Sequence, residues 1–366
     1  MSESTSIEKW IRPDLSELGA YNAHKSPDTL TQIPEKKIIK LDANENPYGC
    51  SPKVSIALAE YNQWHIYPDA AQTKLRRQLQ DYTGVDAERI VAATGSGELL
   101  DDLLCLLLKP GDEVVNCVPT FDLYRIRTLV NGGKLANITR EGDFSVNIAS
   151  LKGAITPKTK LIILANPNNP TGNVTPQKDI LELADTGVPL LIDEAYYEFC
   201  GETVVPLTPR YGNLMALRTF SKWAGLAGLR IGYGIFPPEI TSYLLKIKMP
   251  YNVNVAAVVA AEASMQDREY LDDRVKAIMT ERERLFKGLR NISWLKPFPS
   301  RANFIFCALK RGTSGVLFQK LQDQGILVRC FAQPLLENGF RVSVGKPEEN
   351  NAFLKALRQL EGELNE

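Results

Sequence analysis

A lysine, Lys222, stands inside a stretch of small and apolar residues, TFSKWAGLAGLRIGYG at 219–234, and Arg230 follows it eight residues later. A buried cation is costly unless another group pairs with it or its charge is removed. A lysine in such a setting is therefore usually a surface residue that extends its ammonium into water. The alternative is a lysine that acts as a nucleophile or base, because apolar surroundings lower the pKa of an amine.

Further polar residues come directly after apolar runs that are typical of strands. Asp193 ends VPLLID, Asn169 lies in NPNNPTG after LIILA, and Ser96 and Gly97 open a predicted helix after IVAATG. Each feature has a plainer explanation: an acid can end a strand, NPNNPTG is rich in turn residues, and the GSG segment can be only a helix cap. A helix N-terminus also attracts phosphate. The full dinucleotide fingerprint is absent, because Leu100 replaces its third glycine.

The elements that carry these residues alternate between short apolar strands and amphipathic helices from residue 90 to residue 236. Such alternation predicts an α/β fold with a mostly parallel sheet covered on both faces, and ligands bind at the carboxyl ends of its strands. After Pro250, two long helical patterns precede a smaller alternation of strands and helices. We therefore expect an N-terminal arm (1–40) that packs on the smaller domain or a partner, a large domain (41–249) and a small C-terminal α/β domain (250–366).

Composition excludes several classes of function. Of the 366 residues, 43 are Lys or Arg and 43 are Asp or Glu, without a basic run, so neither nucleic acid nor a membrane is an expected partner. The two histidines lack metal-ligand spacing, which argues against a metal site and a Ser-His-Asp triad. The six scattered cysteines are typical of buried free thiols, and the N-terminus does not resemble a secretory signal. We expect a cytoplasmic protein.

The order of NPNNPTG (166–172), IDEAYYEF (192–199), Ser221-Lys222 and Arg230 resembles the fold-type I aminotransferases that use pyridoxal 5′-phosphate. The resemblance covers nearly the whole chain. It implies a large cofactor-binding domain with a mostly parallel central sheet and a smaller C-terminal α/β domain. It also implies that Lys222 is the catalytic residue, which holds the cofactor as an aldimine and moves a proton once the substrate amine has displaced it.

The same resemblance assigns the contacts to the cofactor. Asp193 is expected to pair with the pyridinium nitrogen, while Tyr196 and Asn169 bond to the phenolic oxygen. Phe121 is expected to stack on the ring. The residues assigned to the phosphate are Ser96, Gly97, Thr219, Ser221, Arg230 and Tyr67, of which Tyr67 reaches the site of a neighbouring subunit. This last assignment implies a homodimer with shared active sites.

Two segments narrow the resemblance to the histidinol-phosphate aminotransferases: LDANENPYG (41–49) and KMPYNVN (248–254). The first departs from the family pattern at Asp42, where asparagine is common. The substrate-binding residues that the resemblance implies are Tyr21, Asn44, Arg329 and Arg341. Two arginines suit a phosphate dianion, although Arg329 alone could equally form a surface salt bridge. The implied reaction converts L-histidinol phosphate and 2-oxoglutarate to imidazole-acetol phosphate and L-glutamate.

Other functions fit parts of the same pattern. An aromatic aminotransferase would share Lys222, Asp193 and Arg341, and a threonine-phosphate decarboxylase would also use paired arginines. A non-catalytic module that kept the fold would be free to lose one of these residues, and all are present. A nicotinamide dehydrogenase requires the glycine fingerprint that is absent here.

Overall fold

The predicted alternation is present in the computed structural model, which describes residues 7–15, 18–19 and 38–361. Within these residues the strands are β1 (Ile39–Lys40), β2 (Ile90–Ala93), β3 (Glu113–Val118), β4 (Lys134–Thr139), β5 (Thr159–Ala165), β6 (Leu190–Asp193), β7 (Leu214–Thr219), β8 (Gly232–Ile235), β9 (Leu295–Pro297), β10 (Phe304–Leu309), β11 (Ile326–Leu327), β12 (Arg329–Cys330) and β13 (Gly339–Ser343). Most of the predicted arm, 1–40, and Tyr21 with it, lie outside the described residues.

The α-helices of the same described ranges begin with two that precede β2 and end with one that follows β13. They are α1 (Pro52–Glu60), α2 (Thr73–Thr83), α3 (Ser96–Leu107), α4 (Leu123–Val130), α5 (Ile148–Gly153), α6 (Gln177–Ala184), α7 (Tyr197–Cys200), α8 (Pro238–Ile247), α9 (Val255–Gln266), α10 (Arg268–Arg290), α11 (Ser314–Asp323) and α12 (Pro347–Gln359). The two long helical patterns predicted after Pro250 correspond to α9 and α10.

The large sheet of the described chain has seven strands in the order β2-β8-β7-β6-β5-β3-β4. Strands β4, β3, β5, β6 and β7 pair in parallel, and β8 runs antiparallel between β2 and β7. Parallel neighbours need crossover connections, which helices between the strands supply. The prediction of a mostly parallel sheet is therefore confirmed, with β8 as the antiparallel member. The carboxyl ends of β2, β5, β6 and β7 meet at one edge.

Both faces of this sheet are buried along its central strands, which explains why β5, β6 and β7 are nearly continuous apolar runs rather than alternating ones. Every residue of β6 and β7 is buried. In β2, Val91 and Ala93 pack in one core with the apolar stripe of α3, and Ile90 and Ala92 pack in the core on the opposite face. A ligand can therefore reach this sheet only at its edge, beyond the ends of the strands.

A second sheet in the described residues has the order β12-β13-β10-β9, and all of its pairs are antiparallel. Helix α10 packs on β9 and β10, and α12 packs on α10. This agrees with the predicted smaller α/β unit near the C-terminus. It carries Arg329 and Arg341 on neighbouring strands, directly opposite each other in the register of β12 and β13.

The segment after β1 joins the two sheets. Strand β1 pairs in parallel with β11, and the amide of Ser343 donates to the carbonyl of Leu41 at 2.8 Å. The chain then passes along the edge of the large sheet and enters α1, which packs against α9. Residues 42–45 are thereby held between the large sheet and β13, next to the carboxyl ends of the strands.

One expectation about the cysteines was wrong. All six are unpaired, but Cys105 is exposed rather than buried. Helix α3 turns Leu99, Leu100, Leu103 and Leu104 towards the sheet, and Cys105 falls outside this stripe. An apolar run in the sequence does not show which side of a helix each member occupies.

Across residues 38–361 and the two short N-terminal segments that are described, no helix has the length and apolarity needed to cross a membrane.

Candidate active site

A cavity of about 320 Å³ opens at the edge where the parallel strands end. It brings together residues from seven separate segments of the chain. Twelve residues singled out from the sequence line it: Asn44, Ser96, Gly97, Phe121, Asn169, Asp193, Tyr196, Thr219, Ser221, Lys222, Arg230 and Arg341. The convergence of strand ends explains why residues so far apart in sequence share one cavity.

Lys222 lies three residues beyond the end of β7, and its Nζ donates to the carbonyl oxygen of Ala43 at 3.1 Å. Burial lowers the pKa of Lys222 from 10.5 to about 8, and the positive charge of Arg341 is the next cause. Glu45, on the same joining segment, opposes this shift. Lys222 is therefore an amine that can both take up and release a proton near neutral pH.

Asp193 is the last residue of β6, and both of its carboxylate oxygens accept hydrogen bonds. Tyr124 Oη donates to Oδ2 at 2.6 Å, and the amide of Ala195 donates to Oδ1 at 3.0 Å. Burial raises the pKa of Asp193, whereas the hydrogen bond from Tyr124 and then that from Ala195 lower it. The site thus holds a nearly inaccessible carboxyl whose ionised form depends on its hydrogen-bond donors.

Tyr124 lines the cavity and was missed by the sequence analysis. The sequence carries only a weak signal for it, because Tyr124 is an aromatic residue one turn before Thr128, which is buried on the same face of α4. A buried tyrosine hydroxyl usually has a hydrogen-bond partner. What the sequence does not show is that the partner is Asp193, 69 residues away.

One end of the cavity is suited to an anion. Thr219 Oγ1 donates to Ser221 Oγ at 2.9 Å, and Arg230 Nη1 lies 3.5 Å from the same Ser221 oxygen. The first residues of α3, Ser96 and Gly97, face this end. Hydroxyl groups, a guanidinium and the amides of a helix N-terminus are the usual donors to phosphate.

Two glycines make this close arrangement possible, and neither was singled out from the sequence. Gly95 has φ of +78°, and a Cβ on it would lie 2.5 Å from Nη2 of Arg230. A Cβ on Gly232 would lie 2.5 Å from the amide nitrogen of Ser96. Larger residues at these positions would push the arginine or the helix start out of place.

Asn44 lies at the opposite side of the cavity and connects the two sheets. Its Nδ2 donates to Tyr196 Oη at 2.9 Å, and its Oδ1 accepts from Ser343 Oγ at 3.1 Å. Its backbone carbonyl accepts from Asn303 Nδ2 at 2.9 Å. Asn44 has φ of +54°, in the left-handed region that asparagine tolerates better than most residues. These bonds favour a positioning role for its side chain.

Arg341 is buried in β13 and points into the cavity. Its Nη1 donates to Asn169 Oδ1 at 2.6 Å, and its Nη2 donates to the carbonyl of Asp42 at 2.5 Å. Arg329 does not line this cavity. It lines an adjoining cleft of about 600 Å³ that shares Phe121, Asn169 and Arg341 with it. The two arginines thus face connected spaces.

Tyr67 lies away from the cavity of its own chain. It is 76% exposed, and its ring stacks on that of Tyr251 with 4.5 Å between the centroids. The assignment of Tyr67 to the site of a neighbouring subunit stays a prediction, as does the assignment of Tyr21 to the substrate.

The arrangement can hold an elongated molecule with an anionic group at each end. The hydroxyls, Arg230 and the start of α3 suit one anion, and the buried guanidinium of Arg341 suits the other. Between them lie an amine that titrates near neutral pH and a buried carboxyl. This set is suited to proton transfer at a bound amine or carbonyl compound.

The comparisons with known proteins agree with this geometry. The family model for aminotransferase class I and II matches residues 36–357. A histidinol-phosphate aminotransferase of Dehalococcoides mccartyi is 52% identical over 354 residues, covering 97% of this chain and 98% of the relative. The chloroplastic histidinol-phosphate aminotransferase 1 of Arabidopsis thaliana is 40% identical, covering 96% and 86%. The crystal structure of histidinol-phosphate aminotransferase from Sinorhizobium meliloti in complex with pyridoxal-5′-phosphate has a TM-score of 0.89 and 26% identity, covering 100% of both chains.

Proposed function

The chain belongs to the class I and II aminotransferases, and from this premise we propose that it transfers the amino group of L-histidinol phosphate to 2-oxoglutarate. The products are imidazole-acetol phosphate and L-glutamate, as in histidine biosynthesis. The observation that carries the proposal is the buried guanidinium of Arg341 in one cavity with the amine of Lys222, with Arg329 opposite it on the next strand. Paired arginines suit the phosphate of such a substrate.

The cofactor is pyridoxal 5′-phosphate, and the residues of the cavity fit it. Arg230 and the start of α3 approach each other closely at the anion end because Gly95 and Gly232 carry no Cβ. Asp193 supplies a buried carboxyl for a ring nitrogen, and Lys222 supplies the amine. When bound, this cofactor provides an aldehyde that takes up the amino group and a protonated ring that withdraws electrons.

Lys222 has the central role in the proton transfers. Its pKa of about 8 leaves a substantial neutral fraction near neutral pH, so its Nζ can take a proton from the carbon next to the substrate nitrogen and return it. The carbonyl of Ala43, 3.1 Å away, holds Nζ at the edge of the cavity. This contact restricts the amine to positions from which it faces the substrate.

The other residues bind and orient. Ser96, Gly97, Thr219, Ser221 and Arg230 would hold the cofactor phosphate, and Phe121 would pack on the ring. Tyr196 and Asn169 would bond to the phenolic oxygen, and both are already fixed by neighbours: Tyr196 by Asn44 and Asn169 by Arg341. Arg341 and Arg329 would bind the substrate phosphate, and Arg341 would bind a carboxylate of 2-oxoglutarate in the second half-reaction.

A homodimer with shared active sites is part of this proposal. Trp64, Ile66, Tyr67, Met249 and Tyr251 are exposed apolar residues from two segments that meet where Tyr67 stacks on Tyr251. Such a patch favours contact with another protein surface. A second copy seated there would cover it and would bring its own Tyr67 towards the cavity of the first.

Mixing of two inactive variants tests the shared site. A dimer of one Lys222→Ala chain and one Tyr67→Ala chain contains one site with neither substitution if Tyr67 acts across the interface. Activity should therefore rise well above that of either variant alone when the two are unfolded together and refolded. If activity stays at the mean of the two variants, Tyr67 acts in the active site of its own chain or in no active site.

The division into an arm (1–40), a large domain (41–249) and a small domain (250–366) is likewise a proposal, as is a cytoplasmic location. The seven-stranded sheet lies within 90–235 and the antiparallel sheet within 295–343, which supports the two domains. Limited proteolysis should cut first near the proposed boundaries.

The six unpaired cysteines support the proposed cytoplasmic location, because free thiols persist in a reducing compartment.

Absorbance of the purified protein loaded with cofactor tests the reaction. L-histidinol phosphate added without an acceptor should bleach the visible band of the bound aldehyde, and 2-oxoglutarate should restore it. A response to phenylalanine alone would favour an aromatic aminotransferase. Release of carbon dioxide from threonine phosphate would favour the decarboxylase. No band after the addition of pyridoxal phosphate would contradict the whole proposal.

A further inference from the structure

The hydrogen bond between Tyr124 and Asp193 lies at the bottom of the cavity. Tyr124 is 1% exposed and Asp193 is 8% exposed, so water contributes little to the solvation of either group. The phenol donates at 2.6 Å, a short distance of the kind found when the acceptor is ionised. The amide of Ala195 holds the other carboxylate oxygen.

We propose that Tyr124 is a positioning residue that acts through Asp193 to keep a proton on the ring nitrogen of the bound cofactor. The inference rests on the cofactor that the proposed function requires, and it extends that function to a residue that only touches Asp193. The proton has two places to reside, the ring nitrogen and the carboxyl oxygen of Asp193. A donor to the carboxylate favours the ionised acid and hence the protonated ring.

The groups around Asp193 show why this donor is needed. Burial raises the pKa of Asp193, and the neighbouring carboxylate of Glu194 acts in the same direction. Against them stand the hydrogen bonds from Tyr124 and Ala195 and the positive charge of Lys222. The charge of Lys222 disappears when its amine is neutral, so the two hydrogen bonds are the constant contributions. Without Tyr124, the buried acid would compete for the proton.

Tyr124 can act only as a donor in this pair. Burial and the neighbouring charge of Asp193 raise the pKa of Tyr124 well above its usual 10, so the phenol keeps its proton throughout the working pH range. The ring of Tyr124 packs edge-on against Phe121, with 5.7 Å between the centroids. Phe121, which is expected to stack on the cofactor ring, therefore also packs against Tyr124, the donor to Asp193.

The alternative is that the bond only satisfies two buried polar groups and has no effect on the cofactor. Tyr82 provides a control, since its hydroxyl also donates to a carboxylate with little exposure to solvent, Glu198 Oε1, at 3.0 Å. This second pair does not line the cavity. Tyr82→Phe removes a hydrogen bond from a tyrosine to a carboxylate, as Tyr124→Phe does, but away from the cavity.

The test uses the full chain loaded with pyridoxal phosphate that carries ¹⁵N in its ring. The ¹⁵N chemical shift is followed against pH, and its plateau in the range where the pair holds its shared proton gives the fraction of that proton on the ring nitrogen. Tyr124→Phe should lower the ratio of ring-bound to acid-bound proton about tenfold and move the plateau towards the unprotonated value, because a hydrogen bond to the ionised acid has been lost. Asp193→Asn gives the shift of the unprotonated ring, and Tyr82→Phe should leave the plateau where it is in the unaltered protein.

An unchanged plateau of the ¹⁵N shift in Tyr124→Phe, with cofactor bound, would overturn the inference and leave the proposed function intact. Equal shifts in Tyr124→Phe and Tyr82→Phe would also overturn it, because they would reflect a general structural change. Failure of the unaltered protein to bind the labelled cofactor would reject the proposed function together with the inference. These outcomes are therefore distinguishable.

A second variant covers the case in which Tyr124→Phe does not fold. Incorporation of 3,5-difluorotyrosine at position 124 keeps the shape of the ring and makes the phenol a stronger donor. The plateau of the ¹⁵N shift should then move further towards the protonated value. A move in the opposite direction or no change would contradict the inference, whatever the stability of Tyr124→Phe.

Discussion

The two ends of the cavity are built in different ways. The cofactor end is formed by residues 96–230 at the ends of strands in one sheet, and the hydroxyls of Thr219 and Ser221 lie within twelve residues of Arg230. The substrate end is assembled from Asp42, Asn169 and Arg341, and Arg341 reaches a carbonyl 299 positions away in the sequence. One end is built at the strand ends of a single sheet, and the other depends on how two sheets are placed.

This difference suggests how each end can be altered separately. Substitutions at the cofactor end should affect every substrate alike, because they change the groups that all reactions of the site share. Substitutions at the substrate end should affect the phosphorylated substrate and leave the binding of the cofactor nearly unchanged. The predictions that follow are ordered by the size of the expected effect.

Lys222→Ala should abolish turnover, with a loss of about a thousandfold or more, because the site then lacks its base. Steady-state transamination of L-histidinol phosphate measures the effect. Lys287→Ala, on the exposed side of α10, is the control and should be as active as the unaltered protein. Turnover within tenfold of normal in Lys222→Ala would exclude Lys222 as the catalytic residue.

Arg341→Gln should lower kcat/KM for L-histidinol phosphate about a hundredfold, because a buried charged contact to the phosphate is lost. Its dissociation constant for pyridoxal phosphate should change far less, by about fivefold, because Arg341 would reach the cofactor only indirectly, through Asn169. The exposed Arg290→Gln on α10 is the matched control. Equal losses in substrate and cofactor binding would show that the ends are not independent.

The amine of Lys222 should react with acetic anhydride in the cofactor-free protein with a midpoint near pH 8, because burial and then the charge of Arg341 lower its pKa to about 8. In Arg341→Gln the midpoint should rise. Competitive labelling followed by mass spectrometry of the peptide measures it, with exposed Lys287 as the internal reference. A midpoint above 10 in the unaltered protein would contradict the proposed base.

The same lowered pKa has a consequence for stability. The pKa of Lys222 is lower in the folded chain than in the unfolded chain, so the unfolded state binds more protons between about pH 8 and the usual 10.5. The contribution of Lys222 to the free energy of unfolding should therefore increase as the pH rises through this window. Urea unfolding of the unaltered protein and of Lys222→Met at about pH 8 and about pH 10.5 isolates this contribution. A contribution that falls as the pH rises would contradict the lowered pKa of Lys222.

Asn44→Ala should have the smallest effect on turnover, a reduction of about tenfold, because it releases Tyr196 and Ser343 without removing a reacting group. It should also lower the free energy of unfolding by about 2 kcal/mol. Asn44→Gly is the matched variant, since glycine tolerates φ of +54° but makes no side-chain bond. Equal stability of the two variants would show that the backbone conformation contributes nothing.

Several features show how much of the fold and of the candidate site could be predicted from the sequence. The mostly parallel sheet, the family and the cofactor were predicted and are confirmed, because the alternation of strands and helices and the order of four motifs are properties of the chain itself. The gathering of Lys222, Asp193 and Asn169 was predicted for the same reason, since parallel strands end at one edge. Their roles towards the cofactor stay predictions.

The contacts that cross between elements were missed. No spacing connects Tyr124 with Asp193, and no motif shows that Gly232 lies against the start of α3. Arg329 could be placed in a strand from its sequence, yet its position in the adjoining cleft depends on the strand beside it. Each of these contacts joins residues that are close only after the sheet and its helices have packed.

The sequence by itself determined the class of fold and the places of the amine of Lys222 and the acid of Asp193 at the ends of their strands, because apolar periodicity and strand polarity are read along the chain. Tertiary structure alone decided that Asn44 joins Tyr196 to Ser343, that Arg341 lies near enough to Lys222 to lower its pKa, and that Tyr124 supports Asp193. Hydrogen bonds and charge interactions depend on distances of a few ångströms in space. For the contacts of Asn44 and Arg341 those distances are set by how the two sheets pack across residues 42–45, and for Tyr124 by how α4 packs on the large sheet.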